Sequence, residues 1–187
     1  MKVSKNYHSA LTDEIQNLKE LDYYKYNNSH VIAHNLIDGV LPLFYEADVI
    51  YSEPAWRSGY KTFIDRTDCK NDDFNLYLFS IQRIINELKK PTFIITGKHA
   101  INKLNPDYIT EIQLHGYSSL LAIWNHDKVE FKDNWEAIDK LSEKFNTVLD
   151  FNCGYGNVAS KFKNFICSDL NKKCVYYIAK KYMGYDS

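Results

Sequence analysis

Two stretches of the chain combine acids, an aromatic ring and backbone breakers at spacings suited to chemistry. In Ala47-Asp-Val-Ile-Tyr-Ser-Glu-Pro-Ala-Trp56, the apolar residues Val49, Ile50 and Tyr51 predict a short buried strand. Pro54 stops it at once, because proline has no N–H to give to a strand ladder. Glu53, the Pro54 carbonyl and Trp56 then lie together at the strand end. A carboxylate and an unpaired carbonyl accept hydrogen bonds from an amino group, and an indole offers a flat face to a planar ring. The set suits an exocyclic amine on a heterocycle, although an acid before a proline is also a common plain turn.

The second stretch is Asn146-Thr-Val-Leu-Asp-Phe-Asn-Cys-Gly-Tyr-Gly-Asn157, an apolar run ending on Asp150, then Gly154 and Gly156, then a predicted helix start. Phe165-Ile-Cys-Ser-Asp169 is a second apolar run ending on a second acid. Acids at the carboxyl ends of neighbouring parallel strands, with a glycine turn between them, predict an adenosine-type ligand pocket. The glycines let backbone approach the ligand. The third glycine and longer spacing of a dinucleotide fingerprint are missing, which disfavours a nicotinamide cofactor.

The elements that must position these residues follow from periodicity. Leu11, Ile15, Leu18 and Leu21 predict an amphipathic helix over Ser9–Leu21 within a helical amino-terminal extension, residues 1–30. Asp22 to Ser29 reads as a polar, aromatic loop, and Ser29 as the cap of a helix from His30 to Ile37. Arg57 to Asp73 reads as a loop over the strand ends. Phe74–Leu88, with Leu76, Leu78, Ile81, Ile84, Ile85 and Leu88 inward, predicts a helix, and Thr92–Thr96 a strand, together a crossover onto a parallel sheet. A short helix around His99–Leu104 and an antiparallel hairpin from Tyr108–Leu114 and Ser118–Trp124 follow. Asp133 or Asn134 caps a helix whose stripe is Trp135, Ile138, Leu141 and Phe145. The closing helix, Asn171–Met183, turns Val175, Ile178, Ala179 and Tyr182 inward and its lysines outward. The expected architecture is a single α/β domain over residues 1–187, doubly wound around a mostly parallel sheet with an antiparallel hairpin at one edge.

Composition narrows the class. With 187 residues and a formal net charge of -1, any contact with nucleic acid must come from a local patch. Cys69, Cys153, Cys167 and Cys174 form no C-x-x-C pair and read as reduced thiols of a cytoplasmic protein. No stretch approaches the roughly 18 apolar residues of a membrane span.

In joint order the two landmarks resemble the amino-methyltransferases that use S-adenosylmethionine, in the permuted arrangement where the catalytic motif precedes the cofactor motif. Glu53, Pro54, Ala55 and Trp56 fall on the Asp-Pro-Pro-Trp signature of the adenine-N6 branch, and Val148-Leu-Asp-Phe-Asn-Cys-Gly-Tyr-Gly156 is similar to its Val-Leu-Asp-Pro-Phe-Cys-Gly-Ser-Gly. The resemblance spans about Asp48 to Tyr182 and implies a Rossmann-like methyltransferase fold. It implies that Asp150, Asn152, Gly154 and Gly156 hold the methionine part of S-adenosylmethionine and that Asp169 accepts from the ribose hydroxyls. Glu53 and Pro54 would accept from the target amine and Trp56 stack on its ring, with no metal involved.

Glu53 is one methylene longer than the family's aspartate, and Ala55 replaces its second proline. Glutamate also stands here in the non-catalytic partner subunits of heterodimeric RNA adenine methyltransferases. Between the hairpin and the helix at Asn134 there is no room for a separate target-recognition domain, and no third strand follows in the cofactor half. Three readings stay open: an adenine-N6 methyltransferase acting on DNA ahead of RNA; a degenerate relative that binds cofactor, nucleic acid or a partner subunit without turnover; and an unrelated nucleotide-binding protein. A homodimer is compatible with the first two.

Overall fold

A computed structural model of the chain describes residues 23–54 and 71–185. Eight strands form one sheet: β1 (Tyr23–Tyr26), β2 (Ser29–Ala33), β3 (Val49–Ser52), β4 (Thr92–Thr96), β5 (Tyr108–Leu114), β6 (Tyr117–Trp124), β7 (Thr147–Phe151) and β8 (Asn164–Asp169). Their spatial order is β1-β2-β8-β7-β3-β4-β6-β5. Neighbours from β2 through β4 pair in parallel, while β1 at one edge and the β5–β6 hairpin at the other are antiparallel. The helices are α1 (Asn71–Leu88), α2 (Lys98–Ile101), α3 (Asn134–Lys144) and α4 (Lys172–Met183).

The central strands are buried on both faces, as a parallel sheet requires. On one face Val31, Val49, Phe93, Val148 and Cys167 meet Ile138 and Leu141 of α3 and Val175 and Ile178 of α4. On the other, Ile32, Ile50, Ile94, Leu149 and Ile166 meet Leu78, Ile81, Ile84 and Ile85 of α1. Helices on both faces make the sheet doubly wound, as the sequence predicts. The α1 crossover joins the parallel pair β3 and β4, and the hairpin sits at the expected edge.

Several expectations are corrected. Tyr23–Tyr26 is a strand, not a loop, and His30 begins no helix but lies in β2, with a two-residue turn at Asn27 and Asn28 between them. The cause is burial on both faces: Val31 and Ile32 point to opposite cores, so their continuous apolar run carries no period that separates strand from helix. Ser29 caps no helix; its hydroxyl accepts from Phe165 N at 3.2 Å. The cofactor half does have a third strand, because β2 lies parallel to β8 and comes from the amino-terminal side of the chain. The Gly154–Gly156 turn leads only to a 3-10 turn, Ala159–Lys161, rather than a helix. Trp135 and Leu76 face solvent, with Ala137 taking the inward place expected of Trp135, because Trp135 falls on the outer side of the first turn of α3. Phe145 caps α3 from outside it and Tyr182 is only half-buried, while Cys174 and Met183 complete the inner face of α4. The short helix ends at Ile101. The predicted helix over Ser9–Leu21, Cys69, and residues 57–70 of the predicted loop lie outside the described residues; residues 71–73 of that loop belong to α1.

Candidate active site

The carboxyl ends of β3, β7 and β8 are neighbours, and their acids meet there. At the opposite end of the strands Asp48 pins the register, its Oδ2 accepting from Asn146 N at 3.1 Å and Thr147 N at 2.9 Å. At the carboxyl end the fully buried Ser52 hydroxyl donates to Phe151 O at 2.5 Å, tying β3 to β7. Glu53 follows, half-buried, with buried Pro54 behind it. Trp56 lies outside the described residues.

Glu53 is held by neighbours that the spacing of its motif does not reveal. The hydroxyl of the fully buried Tyr51 donates to Glu53 Oε1 at 2.9 Å, and the buried Asn134 side chain lies near enough to favour the charged carboxylate. Burial pushes the Glu53 carboxyl above its ordinary range, opposed by the Tyr51 bond, by Asn134 and by the charge of His115 at the hairpin turn. Tyr51 keeps its proton, because burial and then the Glu53 charge hold its phenol well above the usual range. Tyr51 was legible in principle, since residues two apart on a strand share a face. Asn134 is marked in the sequence only as a helix start, and the imidazole of His115 only as part of a hairpin turn.

Asp150 is 2 % exposed, and burial drives its carboxyl well above the ordinary range, with the negative charges of Glu53 and Asp169 adding to the effect. Asp169 is raised by burial too, against the backbone N–H groups of Asn171, Gly154 and Leu170. Its two oxygens accept from Gly154 N at 2.9 Å and Asn171 N at 2.8 Å, so the end of β8, the glycine turn and the start of α4 close around one carboxylate. An ionised carboxylate offers about four acceptor positions, which leaves capacity for hydroxyl donors.

The two glycines have different surroundings. A β-carbon on Gly154, at φ 52°, would meet nothing within 4 Å, whereas one on Gly156, at φ 74°, would run into Ile178 of α4. The turn is closed by Gly156 N donating to Cys153 O at 2.9 Å and anchored by Cys153 N donating to Ser168 O at 3.2 Å. Gly154 is the open position at the strand ends and Gly156 the packed one. Asn152 adopts φ 58°, a conformation Asn tolerates better than most residues, and its amide meets the hydroxyl of Tyr77 on α1. Tyr77 is raised by burial and by the Asp169 charge, which places it beside the acids; nothing in the helical pattern distinguishes it from a packing residue.

The structure thus brings Glu53, Pro54, Asp150, Asn152, Gly154 and Asp169 to one edge of the sheet, and packs Gly156 just behind it. Buried carboxylates that prefer a proton or a counter-charge suit a cationic ligand, and Asp169 suits vicinal hydroxyls. A separate open concavity of about 690 Å³, lined by Asp107, Tyr108, Asn125, His126, Asp127 and Lys144, lies past Trp124 at the amino ends of the parallel strands. That is the wrong end of such a sheet for a ligand of this kind.

No protein-family model and no curated protein matches the chain. Among solved structures it is similar to TTHA0409 of Thermus thermophilus, a candidate DNA modification methylase seen in complex with S-adenosyl-L-methionine. The identity is 11%, the TM-score 0.47, and the match covers 73% of this chain and 87% of that one. It is also similar to M1.HpyAVI in its SAM complex, with 14% identity, TM-score 0.45, and coverage of 72% and 87%. At such identities and TM-scores the likeness transfers no residue role to this chain.

Proposed function

We propose that this chain is an S-adenosylmethionine-dependent methyltransferase whose acceptor is the exocyclic amine of a nucleobase, adenine N6 in DNA being the first candidate. The carrying observation is the convergence of Glu53, Asp150 and Asp169 at the ends of three adjacent parallel strands, with the open Gly154 turn tied to Asp169. The order of its motifs, with Glu-Pro just after β3 ahead of the glycine turn after β7, fits the permuted arrangement of that family.

The residues fit the cofactor. Asp169 would accept the ribose hydroxyls, Gly154 would admit the ligand against bare backbone, and Asp150 and Asn152 would face its methionine part. Gly156 supports the turn through α4. When bound, S-adenosylmethionine supplies an electrophilic methyl group on a cationic sulfur. Glu53 and the Pro54 carbonyl accept the N–H bonds of the target amine, which orients its lone pair toward the methyl. The methylated amine would be cationic, and the Glu53 carboxylate would stabilise that charge before the surplus proton leaves to solvent. Catalysis is positioning plus electrostatics. Trp56 is the candidate ring platform. A base in duplex DNA would have to be flipped out to reach it. A second copy, a partner subunit or the amino-terminal segment would supply target recognition. The free, buried thiols of Cys153 and Cys167 suit a reducing, cytoplasmic compartment. No helix among the described residues is long and apolar enough to cross a membrane.

Incubation with methyl-labelled cofactor and separate pools of DNA, RNA and nucleosides tests the reading. Transfer by the wild type and its loss in Glu53→Ala supports it. The second reading, a degenerate relative that binds without turnover, is favoured by Glu53 standing where that family has aspartate. It predicts calorimetric binding of S-adenosylhomocysteine with no transfer to any pool. Absence of binding by the folded wild type sinks both.

A further inference from the structure

Glutamate in place of aspartate adds a rotatable bond to the group that must hold the target amine, and an error near 1 Å at such a group costs about a hundredfold in rate. The structure contains a remedy. Tyr51 lies two residues back, on β3, and donates to Glu53 Oε1 at 2.9 Å. Asn134, buried at the first position of α3, lies near the same carboxylate and favours its charged form. One donor comes from β3, the strand that Glu53 follows, and the other from a helix fixed independently by the Asp133 cap, whose Oδ1 accepts from Glu136 N at 2.9 Å.

We propose that Tyr51 and Asn134 are positioning residues that grip the Glu53 carboxylate from two sides, offset its extra methylene, and leave its remaining acceptor positions aimed at the target amine. The proposal rests on the methyltransferase reading of the site. A carboxylate with about four acceptor positions can satisfy two protein donors and still accept from an amine. Both donors also favour the ionised form, the form that accepts hydrogen bonds. The charged and titratable groups around the pair are Asp150 on β7 with Asp169 beyond it, His115 at the hairpin turn, and Asp133 before α3. Burial opposes ionisation of Glu53 and His115 assists it, while the Glu53 and Asp169 charges fall on Asp150. Removing either donor therefore moves the Glu53 titration to higher pH.

The test uses the full chain with Tyr51→Phe, Asn134→Ala and the double variant. Glu53 is followed through its side-chain carboxyl carbon by NMR with labelled glutamate, assigned with Glu53→Gln. The expected result is a Glu53 titration displaced to higher pH in each single variant and further in the double, with S-adenosylhomocysteine affinity within about twofold of wild type. In transfer assays kcat falls about 10- to 100-fold with KM little changed, and the acid limb of the pH–rate profile moves up in pH. Tyr51→Phe keeps the buried ring, so it guards against a loss that is merely unfolding. An unshifted Glu53 signal in both single variants overturns the proposal whatever the activity, as does an unchanged kcat in the double variant. Absence of transfer by the wild type counts against the methyltransferase reading instead, and leaves the NMR titration to decide the grip.

Discussion

Gly156 and Ile178 stand so close that a β-carbon on the glycine would lie 2.9 Å from Ile178 Cγ1 and 3.1 Å from its Cδ1. Gly154, two residues earlier, has open space at the same position. Both have positive φ, so alanine is strained at either by about 1–2 kcal/mol, but only at Gly156 does overpacking add about 1–3 kcal/mol. Denaturant unfolding should therefore show Gly156→Ala clearly less stable than Gly154→Ala. Gly154→Ala should instead be the variant that weakens S-adenosylhomocysteine binding in calorimetry beyond its loss of stability. Equal losses of stability in the two would contradict the division of labour in the turn.

Asp150 sets a pH dependence. Its carboxyl in the folded protein lies well above the ordinary value, so between the two values the native state binds the extra proton. Its contribution to stability is fully present below the ordinary aspartate range and is lost as pH rises through the raised value. Asp150→Asn should flatten that slope, stabilise the ligand-free protein at neutral pH, and weaken cofactor binding by tenfold or more. Thermal melts from pH 4 to 8 with and without S-adenosylmethionine check all three outcomes.

His30 works in the opposite direction. It is 2 % exposed and its Nδ1 is 2.7 Å from the Tyr23 hydroxyl; burial, and then the Lys25 charge, lowers it from 6.5 to about 4. The unfolded chain takes up a proton first as pH falls, so stability held above about pH 6.5 declines down to about pH 4, by on the order of 3 kcal/mol. His30→Gln should remove this decline, visible as a shallower fall of the denaturation midpoint across that window. A slope unchanged by the substitution would mean that His30 is not the group responsible.

Asp169 gathers two backbone donors, so Asp169→Asn puts an amide N–H where one of them needs an acceptor. Stability should drop by about 1–3 kcal/mol. S-adenosylhomocysteine affinity should fall further, at least tenfold, because the ribose loses its acceptor as well. Calorimetry on the variant at a temperature where it is folded separates the two. Retained affinity would remove Asp169 from the ligand site.

Much of this was legible because apolar runs with an acid at the end survive translation into parallel strands. β3, β4, β7 and β8 each carry a continuous apolar core, and Glu53, Asp150 and Asp169 stand at or just past a strand end. What was not legible has a physical cause in each case. Val31 and Ile32 serve two cores at once, so their strand shows no period. Gly156 was read as backbone exposed to a ligand because a glycine's letter does not say whether a helix fills its missing side chain. Tyr77 and Asn134 join the site only through tertiary approach, from elements whose own patterns describe packing and capping.

The hydrogen bond from Phe165 N to Ser29 Oγ joins residues 136 apart, and it belongs to the parallel pairing of β2 with β8 that flanks the acids. On a ribosome, the β1–β2 hairpin therefore emerges long before its partner strand and presents an unpaired edge with Val31 and Ile32 uncovered. Pairings of such long range also slow folding. The strand ends that carry Asp150 and Asp169 are the last part of the sheet to be made, so a truncated or stalled chain would carry Glu53 and Pro54 with neither aspartate beside them.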